Sequence, residues 1–213
     1  MGYSVKEVFY TLQGEGCYSG RPAVFLRFTG CNLWNGLEAD RQTAICKFCD
    51  TNFVGIDGTN GGKFADAAAL ASQVDRVWNE FAEDDTRKMV VCTGGEPLLQ
   101  LDELAVAALQ EKGFYVAVET NGTLLPPEGI DWITVSPKVG ASLKLKFGDE
   151  LKFVYPQEAY SPEKFGGLEF SHFFLQPMDG PEREQNTRLA MEYCLKNPKW
   201  KLCLQTQKIL KIR

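Results

Sequence analysis

Short apolar runs that each hand over to a polar cluster bearing Gly or Pro recur along this chain, and no other feature limits its fold so tightly. MVVCTGGEP (Met89–Pro97) ends in Thr93-Gly94-Gly95-Glu96, and FYVAVETNG ends in Glu119-Thr120-Asn121. DWITVSPK ends in Ser136-Pro137-Lys138, and HFFLQPMDG in Gln176-Pro177-Met178-Asp179. YSVKEVFYTL, PAVFLRF, ELKFVYP and WKLCLQTQK (Trp200–Lys208) read as further strands. Phe64, Leu70, Val74, Val77, Trp78 and Phe81 recur at helical spacing, which predicts a helix over about 65–82. Two more helices are expected, over about 101–112 with a stop at Gly113, and over about 182–196 after Pro181. GIDGTNGGK (Gly55–Lys63) reads as a flexible loop.

Parallel strands with all their chemistry at the C-terminal end are what a TIM-type barrel provides, but eight full units usually take about 250 residues. With 213 residues and three convincing helices, the expectation is a single α/β domain over 1–213. It would be a partial, reduced TIM-type barrel of about six parallel strands and three main helices. A doubly wound sheet is the alternative, without a GxGxxG fingerprint to support it.

The longest break in this pattern holds three cysteines, Cys31, Cys46 and Cys49, with fourteen residues in the first gap and two in the second. Three thiolates can hold a 4Fe–4S cluster and leave one iron open to a ligand that is not protein. A CxxC is also half of many zinc sites, and spacing alone leaves zinc open, although zinc wants a fourth Cys or His. The single histidine, His172, lies in an apolar run and reads as a packed or edge residue. If the site is an open cluster, this stretch is an elaborated cluster-binding loop. An open iron can chelate the amino and carboxylate groups of S-adenosylmethionine. TGGEP then suits the ammonium, Phe48 offers an apolar surface for adenine, and Glu119, Asn121, Ser136, Lys138 and Gln176 supply hydrogen-bonding groups.

The remaining cysteines lack ligand spacing, and Cys92, Cys194 and Cys203 read as small buried hydrophobes. Seven cysteines without a signal peptide suggest a reducing, cytoplasmic setting. No run approaches membrane-spanning length. A net charge of −5 argues against a broad nucleic-acid binder.

LQGEG (Leu12–Gly16), Arg27, C-x14-C-x2-C, CDT (Cys49–Thr51), TGGEP, ETNG, SPK, QPMDG and a terminal LQT-x-K occur in the order found in one family. On these motifs the chain resembles, along its whole length, the 7-carboxy-7-deazaguanine synthases, which are radical S-adenosylmethionine enzymes. The resemblance implies a 4Fe–4S cluster on Cys31, Cys46 and Cys49, S-adenosylmethionine as a true cofactor, and magnesium held through Thr51. It implies radical ring contraction of 6-carboxy-5,6,7,8-tetrahydropterin to 7-carboxy-7-deazaguanine with release of ammonia, in queuosine or other 7-deazapurine biosynthesis.

By the same matching, the cofactor would meet Phe48, Cys49, Gly94, Gly95, Glu96, Glu119, Asn121, Ser136, Pro137, Lys138, Gln176, Pro177, Met178 and Asp179. The pterin would meet Leu12, Gln13, Gly14, Glu15, Arg27, Thr93, Gln207 and Arg213. A flavodoxin- or ferredoxin-like electron donor is implied, with Arg41 and Lys47 as candidate docking cations, and so is a homodimer; no direct nucleic-acid or membrane partner is expected. Two departures stand out: the family usually has QTHK where this chain has Gln207, and relatives of this subtype end in proline where this chain ends in Arg213. A glycyl-radical-enzyme activase and a non-catalytic metal-binding module are the rival readings.

Overall fold

A computed structural model describes residues Gly2–Arg213. Its nine strands form one sheet in the order β3-β1-β2-β4-β5-β6-β7-β8-β9. β1 (Tyr3–Leu12) runs antiparallel to β2 (Pro22–Phe28) and to the short β3 (Gly62–Phe64). From β2 onward every neighbouring pair is parallel: β4 (Met89–Gly94), β5 (Tyr115–Thr120), β6 (Trp132–Val135), β7 (Phe147–Tyr155), β8 (Glu169–Pro177) and β9 (Trp200–Leu202). The parallel run is therefore seven strands rather than about six. β3 lies where a loop was expected, and β9 stops well short of Lys208.

The helices follow their sequence signals closely. α1 (Ala67–Phe81) starts where the Asp66 carboxylate accepts from the Ala69 N–H at 2.8 Å. Asp102 caps α2 (Glu103–Glu111) in the same way at 2.9 Å, satisfying donors that a helix start otherwise leaves open. α3 is Arg183–Lys196, and a short α4 (Thr206–Leu210) forms in the tail instead of strand. Its C-cap, Lys211, sits in the left-handed region at φ 56°.

The two-residue period of the strands sorts the side chains. Val24, Leu26, Phe28, Val90, Cys92, Val116 and Val118 face α1 and α2 and pack with Leu70, Val74, Trp78 and Leu109. Leu151, Phe153, Phe173 and Leu175 form a second core with Ala190 of α3 and Trp200. Full burial of each such side chain contributes about 1.5–3 kcal/mol. Alternate residues point to the opposite face, where Arg27, Thr93, Glu119, Lys152 and Gln176 all reach one cavity. Polar side chains on that face are tolerated because they line a cavity and pair with one another.

The remaining structural cysteines divide: Cys92 and Cys203 are buried, Cys194 is half-buried and Cys17 is exposed. His172 stacks on Trp132 with ring centroids 5.8 Å apart, as a packed residue.

Candidate active site

The loop after β2 begins at Cys31. The Ile45 and Cys46 N–H groups donate to the Leu33 carbonyl at 3.1 and 3.2 Å, folding the loop back toward its start. Arg41 then ties it. Its Nη1 donates to the Lys47 and Cys49 carbonyls, each at 3.0 Å, while its guanidinium lies 4.1 Å from the centre of the Trp34 ring. Arg41, one of the two candidate docking cations, thus also serves the loop's own shape; Lys47, the other, is exposed.

Opposite this loop, the turn after β4 packs directly on Cys31. A Cβ at Gly95 would stand 2.0 Å from the Gly30 carbonyl oxygen and 2.9 Å from the Cys31 Cβ, so only glycine fits. The Glu96 N–H donates to the Gly30 carbonyl at 2.8 Å, completing the junction.

Burial pushes the Cys31 and Cys46 thiols up. Backbone N–H groups of Leu33 and Trp34 favour the thiolate at Cys31, and the Lys138 ammonium favours it at Cys46. Among the described residues, no three His, Cys, Asp or Glu side chains are drawn together tightly enough to hold one bare ion. The donor chemistry fits a 4Fe–4S cluster: three thiols, amide donors to sulfur, a nearby cation and open space beyond Cys46 and Cys49.

That space is a cavity of about 390 Å³. Of the expected cofactor residues, Phe48, Cys49, Gly94, Gly95, Glu119, Asn121, Ser136, Lys138, Gln176, Pro177, Met178 and Asp179 line it. Every expected pterin residue lines it too, from Leu12, Gln13, Gly14 and Glu15 through Arg27 and Thr93 to Gln207 and Arg213, as does Thr51. Three expected residues stand outside the lining. Cys31 lies behind Gly95, and buried Pro137 offers its carbonyl to Gln157. Glu96 is fully buried, its carboxylate accepting from Leu98 N, Thr120 Oγ1 and Asn121 N at 3.0, 2.6 and 2.8 Å. It therefore shapes the wall from behind. Burial pushes its carboxyl up against those donors.

One group was not singled out from sequence. Lys152, on β7, is buried with its ammonium between Glu15 and Glu119. Glu119 also accepts from Gln13 Nε2 at 2.9 Å, which ties it to the LQGEG residues. Burial would raise the Glu15 carboxyl, but Lys152 and the amides of Gln207 and Gln205 carry it down to about 2. Burial likewise opposes the Lys152 charge, and Glu119 and Glu15 outweigh it, holding that ammonium well above the ordinary lysine range. The signal was present in ELKFVYP, where a lysine alternates with the apolar Leu151 and Phe153.

No family model matches the chain. Among curated proteins it is similar to 7-carboxy-7-deazaguanine synthases. That of Bordetella pertussis is 59% identical over 212 residues, covering 100% of both chains, and that of Caulobacter vibrioides is 58% identical over 210 residues, covering 99% of both. The chain belongs to the 7-carboxy-7-deazaguanine synthase family. The crystal structure of QueE from Escherichia coli has a similar fold, with a TM-score of 0.72 and 27% identity over 96% of this chain and 94% of that one.

The two tail residues expected to differ from the family, Gln207 and Arg213, both lie on the cavity. Gln207 donates to Glu15 Oε1 at 2.9 Å and abuts Gly14, where a Cβ would stand 1.9 Å from its Oε1. Arg213 donates to Thr59 Oγ1 at 2.7 Å, lies 3.4 Å from Glu7, and covers the Phe9 ring at 5.2 Å. Lys208, between them, is held by Asp50 of the cysteine loop and Asp179 after β8.

Proposed function

We propose that this chain is a radical S-adenosylmethionine enzyme that contracts 6-carboxy-5,6,7,8-tetrahydropterin to 7-carboxy-7-deazaguanine with loss of ammonia. The observation that carries this is one cavity joining Cys46, Cys49 and Thr51 to the LQGEG residues, in a chain of this family. It also speaks against a bare metal-binding module, which has no use for such a cavity, and against an activase, whose substrate is a protein. The curled sheet, its two sides joined where the Thr206 N–H donates to the Gly14 carbonyl at 3.0 Å, is read as a partial barrel.

Cys31, Cys46 and Cys49 would hold a 4Fe–4S cluster, which supplies the electron that cleaves S-adenosylmethionine. Gly94, Gly95, Asn121, Ser136, Lys138 and the Gln176–Asp179 turn would bind the cofactor, with Phe48 against adenine. Thr51 would ligate magnesium, which keeps much of its water shell and needs few protein ligands. Arg27 would bind the substrate carboxylate. Its Nε donates to Glu7 Oε1 at 2.9 Å, and this fixes the fork that faces the cavity. Gln13, Glu15 and Glu119 orient the pterin ring by accepting and donating hydrogen bonds.

A homodimer and a flavodoxin- or ferredoxin-like donor complete the reading, with exposed Lys47 as the docking cation. A cytoplasmic setting suits the free thiols; no helix among the described residues is long and apolar enough to cross a membrane. The test is anaerobic turnover. Reconstituted protein given the carboxytetrahydropterin, S-adenosylmethionine, magnesium and dithionite should form the deazaguanine acid and ammonia. Iron-replete protein that binds S-adenosylmethionine yet leaves the pterin intact would reject the assignment.

A further inference from the structure

The Lys152 group asks for an explanation that packing does not supply. A lysine buried at 4% exposure is costly unless paired and hydrogen-bonded. Here the ammonium meets two carboxylates from different elements, Glu15 on the loop after β1 and Glu119 at the end of β5. Both carboxylates line the cavity. Their other partners are side-chain amides: Gln205 and Gln207 donate to Glu15 Oε1 at 3.0 and 2.9 Å, and Gln13 donates to Glu119 Oε1. Every one of these neighbours is a donor, so both carboxylates are organised as acceptors. A structural ion pair needs one carboxylate; the second leaves this group with a net negative charge on the cavity wall, which suits an incoming ring edge with N–H groups.

We propose that Lys152 is a positioning residue: by bridging Glu15 and Glu119 it holds two carboxylates side by side as acceptors on the cavity wall. The enzyme thereby selects a ring edge rich in N–H donors, such as an aminopyrimidinone. This rests on the pterin reading above and deepens it. Without Lys152 the two carboxylates would repel each other across a buried gap, and one would take up a proton and turn from acceptor to donor. The charged groups facing this pair are Lys152 itself, Glu150 on the same strand, the Cys203 thiol after β9 and, farther off, Lys138 after β6. Glu150 is already pushed up by burial and accepts from the Cys17 N–H at 3.0 Å. None of these can replace the lost ammonium between the two acids.

The experiment uses reconstituted holoenzyme and two non-reactive rings, 6-carboxypterin and 6-carboxylumazine, which differ by the 2-amino donor against a carbonyl. Wild-type protein should prefer the pterin by about tenfold or more, the worth of one charge-assisted hydrogen bond. Lys152→Met should reduce that ratio to within about twofold while iron content and S-adenosylmethionine binding persist. In the variant, pterin binding should also weaken as pH falls from about 8 to 6, a dependence absent from wild type, because the acids then hold a proton. A folded, iron-replete Lys152→Met protein with the wild-type ratio and a flat pH response overturns the proposal. If that variant does not fold, Glu119→Gln decides: it leaves Lys152 paired with Glu15 but removes one acceptor, and should cut the ratio about tenfold. An unchanged ratio there overturns the proposal equally. Wild-type protein that binds neither ring would instead refute the pterin reading, which separates the two failures.

Discussion

Single residues carry more than one duty in this cavity, and Glu96 shows how the duties separate. Sequence placed it beside a ligand ammonium because TGGEP ends a strand. The folded chain spends its carboxylate on Thr120, Asn121 and Leu98, locking the end of β4 to the end of β5. Glu96→Gln would set its one amide N–H₂ against the Asn121 N–H, or against the Leu98 N–H and Thr120 hydroxyl, at a cost of about 1–3 kcal/mol. Melting temperature should fall, and S-adenosylmethionine affinity with it, since the Glu96 carboxylate holds the Asn121 N–H on the cavity wall; an unchanged melting curve would deny Glu96 this role. Glu15 illustrates the pH sign. Its carboxyl is depressed from 4.5 to about 2 in the fold, so its stabilisation is complete above about pH 4.5 and is lost as pH falls toward 2. Acid unfolding followed by circular dichroism should therefore lose part of its steepness below pH 4.5 in Glu15→Gln. Thr51 makes a third test. If it ligates magnesium, Thr51→Ala should keep iron and cofactor binding but weaken or abolish magnesium stimulation of turnover.

Elements were legible wherever period and punctuation agreed. α1 was readable from its apolar stripe and α2 from Gly113. Strand ends were readable because each carries glycine or proline. The failures came where tertiary contact overrode local preference. Gly62 and Lys63 read as loop and Phe64 as the head of the helical stripe, but all three pair with Tyr3–Val5 at the sheet edge, and the run after Leu202 reads as strand but turns into α4 once Thr206 bonds Gly14. The cysteine loop was legible as a binding loop and not as a structure, since Arg41 finds its partners only after the chain folds back. That difference is testable. Arg41→Glu should lose iron and colour, because the carbonyls of Lys47 and Cys49 lose their donor and the loop opens. Lys47→Glu should keep both and slow only turnover driven by a flavodoxin-like donor, more so at low salt, while dithionite-driven turnover is spared. Equal loss with both reductants would reject Lys47 as the docking cation.

At the scale of the molecule, an open sheet has two edges, and the tail is what connects them. β9 ends at Leu202, on the side of the second core. From there Cys203 meets Gly16, Thr206 bonds Gly14, Lys208 bridges Asp50 and Asp179, and Arg213 reaches Glu7, Thr59 and the Phe9 ring on the β1 side. The backbone carbonyl of Arg213 accepts from Thr11 Oγ1 at 2.9 Å, so even the last residue is held. Ile209, Leu210 and Ile212 are exposed, so polar contacts do the docking. A tail held by ion pairs and hydrogen bonds should be salt-sensitive where an apolar lid would not be. Deleting Ile209–Arg213 removes the Arg213 contacts and frees one side of the cavity without touching either core or the three cysteines. Iron content and S-adenosylmethionine binding should persist, and the melting temperature should change little. The Michaelis constant for the pterin should rise by about tenfold or more, the scale of losing one charge-assisted contact at the substrate. In the intact chain the same constant should climb with ionic strength as the Lys208 and Arg213 contacts are screened, and in the truncated chain that climb should be smaller. A truncated enzyme with wild-type kinetics and wild-type salt response would show that the cavity is complete without its tail.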